Sequence, residues 1–190
     1  MNSFFEALKN SMILDPLFRA AGSAMASRFR HWIHDPVEIV QGAEIRPGDT
    51  VLEVGCGSGF FTTAAARLVG DSGHLVAMDV LPAYVERVSQ KMRAADLNYV
   101  RTMEADALET GLNDASMDAV MLFGVIPFPT LPLDRLLPEM YRVLKPGGIL
   151  AVWLFPFDLG VPQSILRSGL FEHVSNRNDV YNYRRCQRSG

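Results

Sequence analysis

From Thr50 onward, short apolar runs alternate with longer segments whose apolar residues recur at helical spacing. That pattern predicts a parallel sheet with crossover helices, an α/β architecture. Runs at residues 50–54, 74–78, 98–103, 117–123 and 149–155 predict five strands. Helices are predicted over 60–69, over 82–95, where Leu81-Pro82 suits a helix start, and over 132–144. Pro138 lies inside the last of these and predicts a break or a fresh start there. A short helix is predicted at 162–168. The runs 171–177 and 180–186 then read as the arms of a closing hairpin, with Asn178-Asp179 at its turn. Residues 46–49 and 145–148, both rich in Pro and Gly, read as turns.

Residues 1–46 differ in texture and contain no strand-like run. Phe4, Leu8, Met12, Leu17, Ala21 and Met25 are spaced broadly as in amphipathic helices, with Pro16 as a break. Lys9, Arg19, Arg28 and Arg30 add positive charge. The segment 1–35 is therefore expected to be a helical lid or interface segment, and 36–190 a single main domain. Three placements are open for the segment: a lid packed on the domain, a contact in a homodimer, or a peripheral membrane contact through residues 1–30.

The 190 residues carry 18 basic and 21 acidic side chains, a net charge of −3. A dedicated nucleic-acid binder normally shows a basic surplus, so no nucleic-acid partner is expected. Two cysteines, Cys56 and Cys186, provide neither a disulfide framework nor a zinc cluster. A cytoplasmic setting is the simplest expectation, with the membrane surface as the variant if residues 1–30 lie on lipid. The N-terminus lacks the pattern of a secretory signal, and no apolar run reaches the 18 residues of a membrane span.

The chemistry concentrates in Glu53-Val54-Gly55-Cys56-Gly57-Ser58-Gly59, between a predicted strand and a predicted helix. Glycines at alternate positions allow a sharp turn and close approach of a ligand to the backbone. The following helix N-terminus offers unpaired N–H groups. A dinucleotide fingerprint fails, because Phe60 and Thr62 stand where its last glycine belongs. A phosphate loop ending in Gly-Lys-Ser/Thr is absent. Asp79 follows at the end of the second strand, where a carboxylate can accept from both hydroxyls of a ribose. Glu53 can attract an ammonium group. A ligand with a ribose and an amino-acid head but no phosphates is S-adenosylmethionine.

These residues resemble the class I S-adenosylmethionine-dependent methyltransferases. Glu104-Ala105-Asp106-Ala107 looks like the family's adenine-contacting acidic motif, and Leu144-Lys145-Pro146-Gly147-Gly148 like its helix-to-strand turn. The resemblance covers residues 36–186, and in size it is to the small single-domain type that includes quinone-biosynthesis C-methyltransferases. It implies a doubly wound, seven-stranded Rossmann-like sheet in the order 3-2-1-4-5-7-6, with helices on both faces and the last strand antiparallel. It implies S-adenosylmethionine as cofactor and S-adenosylhomocysteine as product. It assigns Glu53, Gly55, Cys56, Gly57 and Gly59 to the methionine side, Asp79 and Val80 to the ribose region, and Asp106 and Ala107 to adenine. Phe123 and Gly124 are expected to border the transferred methyl.

The implied function is methyl transfer to a small organic acceptor by in-line displacement, without metal. After the fourth strand the sequence Phe123-Gly124-Val125-Ile126-Pro127-Phe128-Pro129-Thr130 is apolar. It lacks the Asn/Asp-Pro-Pro-Tyr pattern of base and glutamine methylation, and it lacks an acid or histidine base. The acceptor is thus expected to be nucleophilic on its own, or its base comes from elsewhere. His31 and His34 are the candidates for such a base. Standing three apart, they also fit one ordinary helix face. Two alternatives stand beside this reading: a membrane-surface lipid or quinone methyltransferase, and a non-catalytic binding subunit.

Overall fold

The computed structural model describes residues 35–126, 131–154 and 159–187. The expected N-terminal lid or interface segment lies outside the described residues, apart from Asp35 at its end, and so do His31, His34 and Pro127 to Thr130.

The chain runs α1 (Pro36–Gly42), β1 (Thr50–Val54), α2 (Thr62–Val69), β2 (His74–Asp79), α3 (Pro82–Ala94), β3 (Val100–Glu104), β4 (Met117–Phe123), α4 (Leu133–Val143), β5 (Leu144–Trp153), α5 (Val161–Arg167), β6 (Phe171–Arg177) and β7 (Val180–Arg185). The seven strands form one sheet in the order β3-β2-β1-β4-β5-β7-β6. Strand β7 is antiparallel to both neighbours, and every other pair is parallel. The order and the antiparallel strand are those implied by the resemblance.

Strand alternation divides the core into two layers. Val51, Ala119, Met121, Phe123, Ala151 and Trp153 pack with Ile39 and Val40 of α1 and Ala65, Ala66 and Val69 of α2. Leu52, Val54, Val120, Leu122, Leu150 and Val152 pack with α4 and α5. Helix α3 covers the first of these faces, with Val88 and Met92 against Ala77 and Cys56. The hairpin β6–β7 turns at Asn178 and Asp179, whose φ angles of 49° and 61° suit the tight turn that right-twisted strands favour.

Four local expectations are corrected. The second helix begins at Thr62 rather than residue 60, because Gly57 to Phe61 first complete a turn. The third strand begins at Val100, two residues later than expected. Pro138 causes no break: α4 is one helix through it. Pro138 and Asp134, one turn apart, are both exposed, so the helix bond that proline forfeits faces solvent. The opposite face, with Leu136, Leu137, Met140 and Tyr141, is buried and holds the helix together. Residues 145–148 do not end the element. Leu144 already pairs with Met117, and the ladder resumes at Ala119 and Ile149, so these residues form a bulge within β5. Gly147 takes a φ of 76° there.

Helix α1 is too short for a periodic apolar pattern to delimit it, but its start is chemically marked. The Asp35 carboxylate accepts from the Val37 N–H at 2.8 Å and Pro36 fills the first helical position. Its far end is tied to β7 by Asn182, which is fully buried. Asn182 Nδ2 donates to the Gly42 carbonyl at 2.9 Å and to Ser175 Oγ at 3.2 Å, while Oδ1 accepts from the Glu44 N–H at 3.1 Å. Asn182→Ala leaves these buried groups unpaired and is expected to cost about 2–3 kcal/mol of stability. Urea unfolding measures it; a loss below about 0.5 kcal/mol, typical of indifferent surface positions, would show that the tie is dispensable.

Candidate active site

The C-terminal ends of β1, β2, β3 and β4 gather the residues singled out by sequence. In open α/β sheets this edge is where ligands bind. The turn after β1 is tied to its neighbours by its own backbone. Cys56 N–H donates to the Met78 carbonyl at 2.9 Å and Gly59 N–H to the Cys56 carbonyl at 2.8 Å. Two glycines are demanded for different reasons. At Gly55, whose φ is 70°, a Cβ would also come within 2.4 Å of Val125 Cγ1, so the loop after β4 closes on β1 over a glycine. At Gly57 the φ of 50° is the constraint, and a Cβ there would meet nothing nearer than the Gly55 carbonyl oxygen at 4.0 Å. The space beside Gly57 is open.

Asp79 borders this loop. Its Oδ2 accepts from the Gly57 N–H at 2.9 Å and its Oδ1 from the Leu81 N–H at 3.0 Å. Burial raises its pKa, and backbone N–H groups of Leu81, Gly57 and Val80 oppose the rise. Each oxygen retains acceptor capacity beyond one backbone bond. Val80, next along, leaves its apolar side chain 44% exposed at this edge.

Glu53 lies one strand away, on the face that α2 and α3 cover, with Ala77 and Met121 beside it in register. It is 3% exposed and its Oε2 has no hydrogen-bond partner. Burial pushes its pKa up to about 8; the nearby Thr62 hydroxyl opposes this, the Asp79 charge adds to it and Lys91 opposes it again. A buried carboxyl with an unpartnered oxygen fits a cationic group, because only a positive partner offsets the loss of water. The Cys56 thiol is buried beside these carboxyl groups. Burial, then the charges of Glu53 and Asp79, push its thiol far above the usual range.

The remaining expected site residues fall into three groups. Asp106 sits just past β3, its Oδ1 accepting from Leu108 N–H at 2.9 Å, and the Ala105 N–H donates to the Asp79 carbonyl at 3.1 Å. The acidic motif is thereby drawn to the end of β2. Ala107 packs into the core on the α4 side. The Phe123 ring is 3% exposed and stacks edge-on against Phe61 at 5.2 Å. Phe123 therefore meets the edge through its backbone, and Gly124 and Val125 follow it there. The sequence marks Val125 as part of the apolar stretch after the fourth strand and Thr62 only as a position where a dinucleotide fingerprint fails; it gives no sign of Lys91, whose ammonium donates to the Gly59 carbonyl at 2.8 Å.

A family model described as a methyltransferase domain matches residues 51–148. The chain belongs to the methyltransferase domain family. Within it, the chain is 31% identical over 119 residues to a protein-L-isoaspartate O-methyltransferase of Ignicoccus hospitalis, covering 63% of this chain and 53% of that protein. It is 34% identical over 107 residues to a demethylmenaquinone methyltransferase of Lactobacillus johnsonii, covering 55% of this chain and 43% of that one. The chain thus spans about half the length of the curated relatives it matches. Its fold is similar to that of a solved S-adenosylmethionine-dependent methyltransferase from Aquifex aeolicus, with a TM-score of 0.71, 21% identity and coverage of 87% of this chain and 96% of that one. Among the described residues of this methyltransferase domain, no helix is long and apolar enough to cross a membrane.

The state of Glu53 has a measurable consequence for the free domain. A pKa raised from 4.5 to about 8 means that ionising Glu53 opposes folding. The opposition is absent below the unfolded value, grows as pH rises, and levels off above about 8. Glu53→Gln removes it. The melting temperature of the variant relative to the parent should therefore climb between pH 4.5 and 8 and then stay level. An offset independent of pH would contradict the assignment.

Proposed function

We propose that this methyltransferase domain binds S-adenosylmethionine at the C-terminal sheet edge and directs its methyl group to a small organic acceptor, releasing S-adenosylhomocysteine. The observation that carries the reading is that two carboxyl groups meet at this edge: Asp79, bonded to the Gly57 N–H beside open space, and the buried Glu53, near enough for each charge to act on the other. One carboxylate keeps acceptor capacity for two adjacent hydroxyls; the other is a buried carboxyl with an unpartnered oxygen, which an ammonium group would pair and ionise.

When bound, S-adenosylmethionine supplies a methyl group on a positively charged sulfur, open to in-line displacement. The chain's task is then to hold and align. Gly55, Gly57 and Gly59 let the backbone approach the amino-acid head, with Cys56 as a small inert filler. Val80 gives an apolar surface beside the ribose position, and Asp106 with Ala107 marks the base position. Gly124 and Val125 border the space where the methyl group moves. Val125 and Ile126 add no proton acceptor, which supports an acceptor that is nucleophilic without help, such as a thiol, amine, enolate or phenolate. Alignment alone then suffices, and this reading routes no step through a metal.

The likeness to demethylmenaquinone methyltransferase favours a second reading, in which the acceptor is a quinone or lipid met at a membrane surface. The half-buried, apolar Val125 beside Gly55 suits such an acceptor.

Calorimetry on the full chain tests the binding site. Asp79→Ala should weaken S-adenosylmethionine binding by about 1–3 kcal/mol, the scale of lost charge-assisted hydrogen bonds. Unchanged affinity would reject the ribose assignment. Methyl-labelled S-adenosylmethionine incubated with the enzyme and an extract of the source cells separates the acceptors. Enzyme-dependent label in the organic phase supports the quinone or lipid reading, and low-mass label in water supports a soluble metabolite. No enzyme-dependent label in either phase counts against transfer.

A further inference from the structure

Lys91 lies on α3, outside the glycine motif, and the reaction as described gives it no part. Two observations connect it to the site. The first is contact: its ammonium donates to the Gly59 carbonyl at 2.8 Å, at the point where the loop closes. Its stem runs beside the same glycine, since a Cβ at Gly59 would lie 3.6 Å from both Lys91 Cδ and Nζ. Val88, three residues earlier on the same helix face, is fully buried and would lie 3.2 Å from that Cβ. Helix α3 therefore grips the loop with one apolar residue and one cation.

The second observation is charge. Glu53 is faced by Asp79 from β2, by Cys56 from the loop, by Thr62 from α2 and by Lys91 from α3. Its neighbours in register, Ala77 and Met121, are apolar. Asp79 disfavours the ionised form of Glu53, the thiol of Cys56 stays neutral, and among the described residues Lys91 is the cation that favours ionisation. The interaction is mutual, because Glu53 in turn supports the charge on Lys91 against burial. A single carbonyl at 2.8 Å suits a compact ammonium better than a planar guanidinium. The chain uses lysine sparingly, at positions 9, 91 and 145.

We propose that Lys91 is a positioning residue for the ligand of this loop, its charge holding the Gly59 carbonyl and setting the charge that Glu53 presents to the ligand's ammonium group. The inference rests on the S-adenosylmethionine reading above. It separates two roles that a lysine here could have. A residue that only packs the loop weakens binding equally at every pH. A residue that sets the charge of Glu53 matters most where Glu53 is protonated and little where it is ionised in any case.

The test is calorimetric titration of the full chain with S-adenosylhomocysteine, a ligand that keeps the ammonium group but has a neutral sulfur, between pH 6.5 and 9. The quantity read is the ratio of the Kd of Lys91→Met to that of the parent, in which titration of the ligand's own amine cancels. At pH 6.5 the variant should bind more weakly, by about threefold or more, and the gap should close toward pH 9. Lys91→Arg keeps the charge and should show no pH-dependent gap, even where the poorer fit of a guanidinium weakens binding uniformly. 5′-Methylthioadenosine, which lacks the ammonium group, should show no pH-dependent gap. A ratio that is constant with pH, or that stays at one, overturns the proposal. Should Lys91→Met fail to fold, Lys91→Gln, a neutral residue that keeps a donor, carries the same comparison. Failure of the parent chain to bind S-adenosylhomocysteine would overturn the binding reading itself, and this inference with it.

Discussion

Burying a carboxyl group near the end of a central strand is costly, and much of the site is arranged around that cost. Glu53 sits on β1, between β2 and β4, in a sheet covered on both faces. Its neighbours in register are apolar and cannot solvate it. What moderates its burial comes from outside the strand: the Thr62 hydroxyl at the start of α2 and the ammonium of Lys91 on α3. Both positions depend on the glycine turn between them. A residue with a Cβ at Gly55 would meet Val125, and one at Gly59 would crowd Val88 and Lys91 of α3. The buried charge and the tight turn are two sides of one requirement.

The same edge shows how backbone groups substitute for side chains. Asp79 is held by two N–H groups, one from the turn after β1 and one from the start of α3. Its carboxylate therefore joins two strand ends as well as facing the open space. Asp106 closes its own loop in the same manner, by accepting from Leu108. Further from the edge, the irregular connection from β3 to β4 is pinned by Glu139 and Arg142 of α4. Thr110 donates to Glu139 through N–H and hydroxyl, and Arg142 reaches Asp114 and the Leu112 carbonyl. The Arg142 guanidinium beside Glu139 holds that carboxyl down to about 2.

The sheet was legible in the sequence because its signals are periodic and bounded. Strands β1, β4 and β6 begin and end where the apolar runs do, and the Asn178-Asp179 turn was marked by residues that tolerate a positive φ. Where reading failed, the deciding fact lay in the third dimension. Pro138 looks like a breaker until one knows that its missing bond faces water. The 145–148 segment has turn chemistry, and no local feature reveals that Leu144 is already paired. Glu53 and Asp79 stood out because carboxylates at strand ends are unusual in an apolar context. Lys91 did not, since a lysine on an amphipathic helix reads as a solvated charge until its carbonyl partner is seen.

Cys56 is 4% exposed, and its thiol is held far from ionisation by burial and by two neighbouring carboxyl groups. The thiolate is the form that peroxides, disulfides and alkylating agents attack. A buried, un-ionised sulfur at the centre of the glycine turn offers such reagents little to attack, and the turn gains a small, polarisable filler.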